Sequence, residues 1–283
     1  MNSHIRQLLR KIAVLRMMKR MFDETRRVAN GFGSKRKCYI CGATFSYFDK
    51  YRQGSKGVSE FLRTLDAVGS DVDNFSCMYC GCNDRERHLF MFFDKLMLWK
   101  TMENGNILHF APEEHLAIKI GESGPLQYVK ADLSTRNHDI TQIDATAIPF
   151  EDDTFDFLIA NHILEHIPDY RKALSEFYRI LRPGGIAILQ TPYSTLLRNN
   201  FEDDGIDNDE LRLYLYGEKD HVRVFGEHSL LKSLEETGFS LQIRKHEDYF
   251  DVRAGYYYGV PVKEKLIMVK KTETTWQAGK RGT

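Results

Sequence analysis

The sequence predicts an α/β protein, a mostly parallel, doubly wound sheet with a small cysteine-bearing module in front of it. Three observations carry this. Short apolar runs alternate with helical stretches from about residue 105 onward. Polar, mostly acidic residues follow several of those runs, where strands of such a sheet end. All five cysteines fall between Cys38 and Cys82, outside the alternating region.

At 283 residues the chain can bury one good core plus a smaller module. Its formal net charge of zero hides a split. Residues 1–100 hold 19 Lys/Arg against 10 Asp/Glu, and the remainder 21 against 30, giving +9 and −9. Two modules with different surroundings would produce that. No run of about 18 apolar residues is present, which argues against a membrane span, and no secretory pattern opens the chain. The expected location is therefore the cytoplasm. The expected units are a basic helix (1–37), a cysteine module with a linking helix (38–100) and an α/β domain (101–283).

The first element, "HIRQLLRKIAVLRMMKRMFDETRR" over 4–27, spaces Ile5, Leu8, Leu9, Ile12 and Leu15 among Arg and Lys, a basic amphipathic helix. It suits packing on its own protein or a second copy, or docking on nucleic acid or an anionic membrane surface, the last making the protein peripheral to the inner face of a membrane.

Next come "CYICG" and, after 35 residues, "CMYCGC". Each Cys-x-x-Cys-Gly points two thiolates at one ion, with Gly allowing the tight backbone beneath them. Cys38, Cys41, Cys77 and Cys80 then complete a closed four-sulfur zinc site, which has no open position and is structural. Cys82 is one thiol too many; it could replace Cys80, but the spacing favours Cys80. Reduced core cysteines are the plain alternative. A redox pair fits worse, since no strand leads into either motif. "SEFLRTLDAVG", between the pairs, reads as a short capped helix, and "ERHLFMFFDKLMLWK" as the apolar helix joining the module to the next domain.

In the alternating region the strand-like runs are "NILHFA", "LQYVKADL", "FDFLIAN", "GIAILQTP" and "EKLIMVKK". The best helix between them, "DYRKALSEFYRILRPGG", opens at Asp169, buries Ala173, Leu174, Phe177, Ile180 and Leu181, and stops at Gly184. Ligands of such sheets bind at the carboxyl ends of strands. Four ends are marked by Ala111-Pro112-Glu113-Glu114, Asp132, Asp144 and Asn161. Any one of these acids is ordinarily a helix cap; several along one sheet edge are harder to explain that way.

The stretch "DATAIPFEDDTFDFLIANHILEHIPDYRKALSEFYRILRPGGIAIL" resembles the class I S-adenosylmethionine-dependent methyltransferases, in particular the type 11 group, and the resemblance runs over roughly residues 105–271. "LHFAPE", "DRERHLF" and the cysteine pairs resemble a bacterial subgroup with an N-terminal zinc-knuckle module. The resemblance implies a seven-stranded sheet with S-adenosylmethionine across the strand ends. By position it gives Asp132 the ribose and Asp144 the adenine amino group, with Ala145 lining the adenine pocket. Asn161 and His162 fall where the methyl group faces its acceptor. The chain departs from the family at β-strand one, where His109 replaces an acid and Ala111 and Glu113 replace glycines. Ala111 is small enough for its place, and Glu113 or Glu114 can return a carboxylate to the cofactor's ammonium. Otherwise both are first-turn residues of a helix.

The segment 193–228 occupies the family's substrate-cap position. "FEDDGIDNDE" reads as a solvated acidic loop, whereas Asp220-His221-x-Arg223 carries chemistry. A hydroxyl loses a proton as it is methylated, and a His held by a carboxylate is the usual base. His221 is the first candidate, His162 and His166 the next. The leading expectation is O-methylation of a small molecule or glycan intermediate. The competing readings are a ribosomal RNA base methyltransferase gripping RNA through the zinc module and a non-catalytic scaffold. RNA fits less well because the catalytic edge is acidic.

Overall fold

The computed structural model describes residues 3–31 and 35–272. Seven strands form the main sheet: β1 Asn106–Phe110, β2 Gln127–Asp132, β3 Thr141–Gln142, β4 Phe155–Ala160, β5 Leu181–Ile188, β6 Phe239–Leu241 and β7 Met268–Lys271. Their order is β6-β7-β5-β4-β1-β2-β3. β7 runs antiparallel between β5 and β6, and the other neighbours are parallel. The alternation of runs predicts this arrangement, because parallel strands need a helical crossover each time. The winding reverses between β1 and β4, so the crevice at their carboxyl ends is the expected ligand position.

Side chains alternate across the sheet with period two. Leu108, Phe110, Leu158 and Ala160 face one core with Leu174 and Phe177 of α4 (Tyr170–Ile180) and Leu234 of α6 (Glu227–Thr237). Ile107, Phe157 and Ile159 face the other, with Leu89, Phe92 and Phe93 of α2 (Asp84–Lys95) and Leu116 and Ile120 of α3 (Glu114–Glu122). The helix expected to run to Gly184 ends at Ile180. Leu181 turns to extended backbone, and "RPGG" lies within β5. Proline at 183 disfavours helix for its predecessor, which accounts for the early stop.

Ahead of the sheet, α1 (Ser3–Gly31) ends against the cysteine module, where the Asn30 amide group bonds Tyr47 and Ser46. Between the two cysteine pairs lies Glu60–Thr64, a short helix capped by the Ser59 hydroxyl. The strand Ala67–Val68 follows and pairs with Tyr193–Ser194, which pairs in turn with Phe225–Gly226. This small second sheet ties the inter-cysteine segment to both ends of the cap, which carries α5 (Asp209–Tyr216).

Candidate active site and thiolate cluster

The turn after β1 keeps a glycine-like shape without glycine. Ala111 has φ +44°, and its N–H bonds Ala131 O at 2.8 Å. Holding a non-glycine residue there costs about 1–3 kcal/mol, which the surrounding structure must offset. Glu113 precedes α3, yet its side chain does not cap the helix. It folds back onto the sheet edge. Oε2 meets His109 Nε2 at 2.8 Å, and Oε1 accepts from Asn161 Nδ2 at 3.1 Å. His109, wholly buried, meets the Tyr128 hydroxyl through Nδ1 at 2.9 Å. Burial pushes the Glu113 carboxyl upward, but the His109 hydrogen bond and charge outweigh it, leaving Glu113 below its ordinary value. The free carboxylate expected at Glu113 is thus engaged on both oxygens, bracing β1 against β4. α3 is capped instead from α2: Glu86 Oε1 accepts from the backbone N–H of His115 (2.8 Å) and Leu116 (3.1 Å). Glu114 is exposed.

Asp132 ends β2 and Asp144 follows β3. One oxygen of each closes a local turn, with Ser134 N at 2.9 Å and Thr146 N at 2.8 Å. The second oxygen of each has no protein hydrogen-bond partner among the described residues. Leu133, 65% exposed, directly follows Asp132, and buried Ala145 directly follows Asp144. An exposed apolar side chain directly after an acid offers a platform for a flat ring. Sequence reading passed over Leu133 because it closes the apolar run "LQYVKADL". Its position directly after the acid was the available signal.

After β4, His162 also takes a left-handed backbone (φ +52°). Leu164–His166 then form a 3₁₀ turn. Glu165 is buried, accepts from the Thr191 hydroxyl at 2.8 Å and lies 3.5 Å from His162 Nδ1. Burial would raise its carboxyl, but His162, His221 and His166 outweigh that and hold it at about 2. His162, Glu165 and His166 border a cavity of about 710 Å³. The cap closes one side with Asp220, His221 and Arg223; the inter-cysteine segment closes another with Tyr51, Arg63 and Val68.

The structure re-pairs the cap motif. Asp220 was expected to hold His221; it lies instead 3.3 Å from His166 Nδ1. His221 Nδ1 donates to Tyr216 O at 3.0 Å, leaving Nε2 with its lone pair, and burial lowers the ring's pKa. Arg223, unassigned from sequence, clamps the 3₁₀ turn by bonding the carbonyls of Leu164 (3.1 Å) and Pro168 (2.7 Å). Cap residues follow the turn because an arginine fork can satisfy several carbonyls at once.

A family model described as a methyltransferase domain matches residues 84–242. The chain belongs to this methyltransferase-domain family. It is 26% identical over 203 residues to a sterol 24-C-methyltransferase of Neurospora crassa, covering 72% of this chain and 45% of that protein. It is 41% identical over 64 residues to a demethylmenaquinone methyltransferase of Staphylococcus aureus, covering 22% of this chain and 27% of that one. The chain therefore spans less than half the length of these curated relatives. Among solved structures it is similar to an S-adenosylmethionine-dependent methyltransferase of Mesorhizobium loti, at 13% identity and TM-score 0.46, covering 64% of this chain and 97% of that one.

This member of the methyltransferase-domain family carries its five thiols on two near-identical loops. Cys38 N bonds Ala43 O and Gly42 N bonds Cys38 O; Cys77 N bonds Cys82 O and Gly81 N bonds Cys77 O. Gly42 and Gly81 both have φ above +70°, where a side chain would be strained. Cys82 thus holds the place of Ala43. Sulfur separations are 3.8 Å for Cys38–Cys80, 3.9 Å for Cys41–Cys77 and 3.4 Å for Cys38–Cys82. The first two match the edge, about 3.8 Å, of a thiolate tetrahedron around zinc. Cys38, Cys77, Cys80 and Cys82 lie within 4.8 Å of one another, and Cys41 is exposed. The mutually close set thus has Cys82 where the spacing led us to expect Cys41, because Cys82 is buried and Cys41 is exposed; four of the five thiols fit one ion.

The first turn of α2 joins this cluster to the rest. Arg87, wholly buried, donates to the carbonyls of Phe75, Cys82, Asn74, Tyr258 and Gly259. The last two are at the end of α7 (Val252–Tyr258). Arg85 borders the cavity, and Asp84 accepts from Asp71 N. His88 Nε2 meets His246 Nδ1 at 3.0 Å, and burial pushes the two rings down to about 3 and about 4.

Proposed function

We propose that the chain is an S-adenosylmethionine-dependent methyltransferase acting on an oxygen of a small molecule or glycan intermediate. The observation that supports it best is the cavity at the β4 end, where a cluster of imidazoles and carboxylates borders a space large enough for a small acceptor. The Neurospora and Staphylococcus relatives are named for sterol and menaquinone chemistry, which favours a small-molecule acceptor.

The cofactor supplies an activated methyl group when bound. The chain's own part is alignment and proton handling. Asp132 accepts ribose hydroxyl hydrogens, Asp144 accepts the adenine amino group, and Leu133 and Ala145 flank the ring. Ala111 gives close backbone approach, and Glu113 with Asn161 holds that turn against β4. The acceptor hydroxyl loses its proton to the histidines of the cavity, with His221, His162 and His166 as the groups in reach.

Zinc in the thiolate cluster would be structural, on Cys38, Cys77 and Cys80 with a fourth thiol from Cys41, which the Cys-x-x-Cys spacing favours, or from Cys82, whose sulfur lies within the cluster. The inter-cysteine segment then acts as a wall of the acceptor cavity, which leaves it less available to grip RNA. On α1, Val14, Met17, Met18, Met21, Phe22 and Val28 are exposed along one face, with Arg16, Lys19, Arg20 and Arg27 opposite. This pattern supports peripheral contact with an anionic membrane carrying the acceptor.

Calorimetry with the cofactor and its demethylated product, followed by labelled methyl transfer into lipid/glycan, RNA and protein fractions of an extract, tests the reading. Label entering the lipid/glycan fraction supports it. Label confined to RNA favours the base methyltransferase, and absence of cofactor binding favours a scaffold.

A further inference from the structure

Glu165, His166 and His221 do more than line the cavity. One donor atom of each lies within 4.8 Å of the others'. They come from two elements, the 3₁₀ turn after β4 and the cap. Two imidazoles and a carboxylate are a donor set for a divalent transition ion that keeps open positions.

The imidazoles are already oriented as ligands. A ligating histidine passes its other ring N–H to a carbonyl or carboxylate. His221 does so to Tyr216 O at 3.0 Å, and His166 turns Nδ1 to Asp220 at 3.3 Å. Each is left with Nε2. Glu165 is 1% exposed, and no Lys or Arg among the described residues is paired with it. A buried carboxylate without a cation is costly. Beside it, both ring nitrogens of His162 are buried with no hydrogen-bond partner, as is Oε1 of Glu264. The cluster is polar, enclosed and incompletely satisfied.

We propose that Glu165, His166 and His221 bind one divalent transition-metal ion of the zinc or cobalt type on the cavity wall, with a coordination position left for an acceptor oxygen. The site differs in kind from the thiolate cluster, having nitrogen and oxygen donors only. Its use rests on the methyltransferase reading; its existence does not. A hydroxyl bound to the ion loses its proton more readily. That proton passes to His162 while the oxygen takes the methyl group from the sulfonium, whose bond to carbon breaks and whose charge is neutralised.

The test is titration of Co²⁺ into the full chain with zinc already in its thiolates. One further equivalent should bind, giving the weak visible absorption of nitrogen and oxygen ligands without the intense thiolate-to-cobalt band. His221→Ala should weaken this binding by at least about 100-fold. Asp220→Asn should weaken it about tenfold, the size expected for a residue that only orients a ligand. Asp220 is 76% exposed, so that variant keeps the test available if His221→Ala fails to fold. Absence of a second equivalent, or wild-type affinity in Asp220→Asn and any folded His221→Ala, overturns the site. Cobalt binding without cofactor binding leaves the metal site standing and overturns the methyltransferase reading. Cofactor binding without a second equivalent does the reverse.

Discussion

The carboxyl ends of β1 and β4 lie side by side, yet they are finished in opposite ways. At the β1 end, His109, Tyr128, Glu113 and Asn161 form a chain in which each hydrogen-bonding group meets another. At the β4 end, His162 stands between two carboxylates, 3.5 Å from Glu165 and 3.8 Å from Glu264, with no hydrogen bond to satisfy its ring nitrogens, and neighbouring imidazoles hold the Glu165 carboxyl low. A closed network fixes geometry, whereas an open one is ready for a ligand. One end is finished as a braced turn, and the other keeps polar groups facing a cavity.

Removing the thiolate metal should sharpen that contrast most. Structural zinc contributes on the order of 10 kcal/mol to folding of small modules. Protein purified without added zinc should hold one equivalent in the thiolate cluster, by elemental analysis. Chelation should unfold the cavity wall, read as protease cutting within 51–75, and leave cofactor affinity within about threefold, since the β1 turn takes no residue from that wall. A disulfide among these cysteines would refute the assignment.

At the open end, His221→Ala should lower turnover by about 10²–10⁴-fold with little change in cofactor affinity, measured by calorimetry beside single-turnover kinetics. Unchanged turnover would show that His221 acts neither as base nor as a ligand of a required ion, and would leave the proton to His162.

Glu264 offers a pH test of the same end. Burial raises its carboxyl to about 7. The folded state therefore holds a proton that the unfolded state releases near its ordinary value. Its contribution to stability is fully present below about pH 4.5 and is lost as pH rises through about 7. Glu264→Gln should flatten the stability profile in that window and gain up to about 3 kcal/mol above it relative to wild type, by denaturant titration across pH. Parallel profiles would show that Glu264 ionises as an ordinary carboxyl.

The smallest expected effect is at the closed end. Glu113→Ala should weaken cofactor binding about ten- to a hundredfold, by releasing Asn161 and His109 from the turn. Glu114→Ala, at an exposed position, should change it by no more than about twofold. Equal losses would mean that the helix terminus, and not the β1–β4 brace, holds the cofactor.

The sheet was legible because strand and crossover helix differ in period and because acids punctuate strand ends. Leu108 and Leu158, or Ile107 and Phe157, sort into opposite cores on alternation alone. The cysteine loops were legible from spacing. What escaped was contact between distant segments. Nothing local in "HFAPE" says that Glu113 reaches back to His109 and across to Asn161. The motif Asp220-His221-x-Arg223 was visible, but the carboxylate belongs to His166, a neighbour only after folding. The gap between the cysteine pairs read as a short capped helix, which is there at Glu60–Thr64, but the strand Ala67–Val68 has no meaning until it pairs with Tyr193–Ser194. Nothing in the sequence marks Arg87 for burial, and only five converging carbonyls make it a core residue.

The segment Asp84–His88 carries a further consequence. Five successive side chains leave the helix in five directions: to the loop at Asp71, the cavity, the start of α3, the cysteine loops with α7, and His246. Successive residues on a helix are about 100° apart, so each direction is fixed by its count from Asn83, the capping residue. One inserted or deleted residue would send every one of these groups to the wrong address at once. Length here is therefore more constrained than identity. A chimera that exchanges the cysteine module should be joined before α1 or beyond Lys95, never inside the helix, because this turn is the key that sets the rotational alignment of both halves.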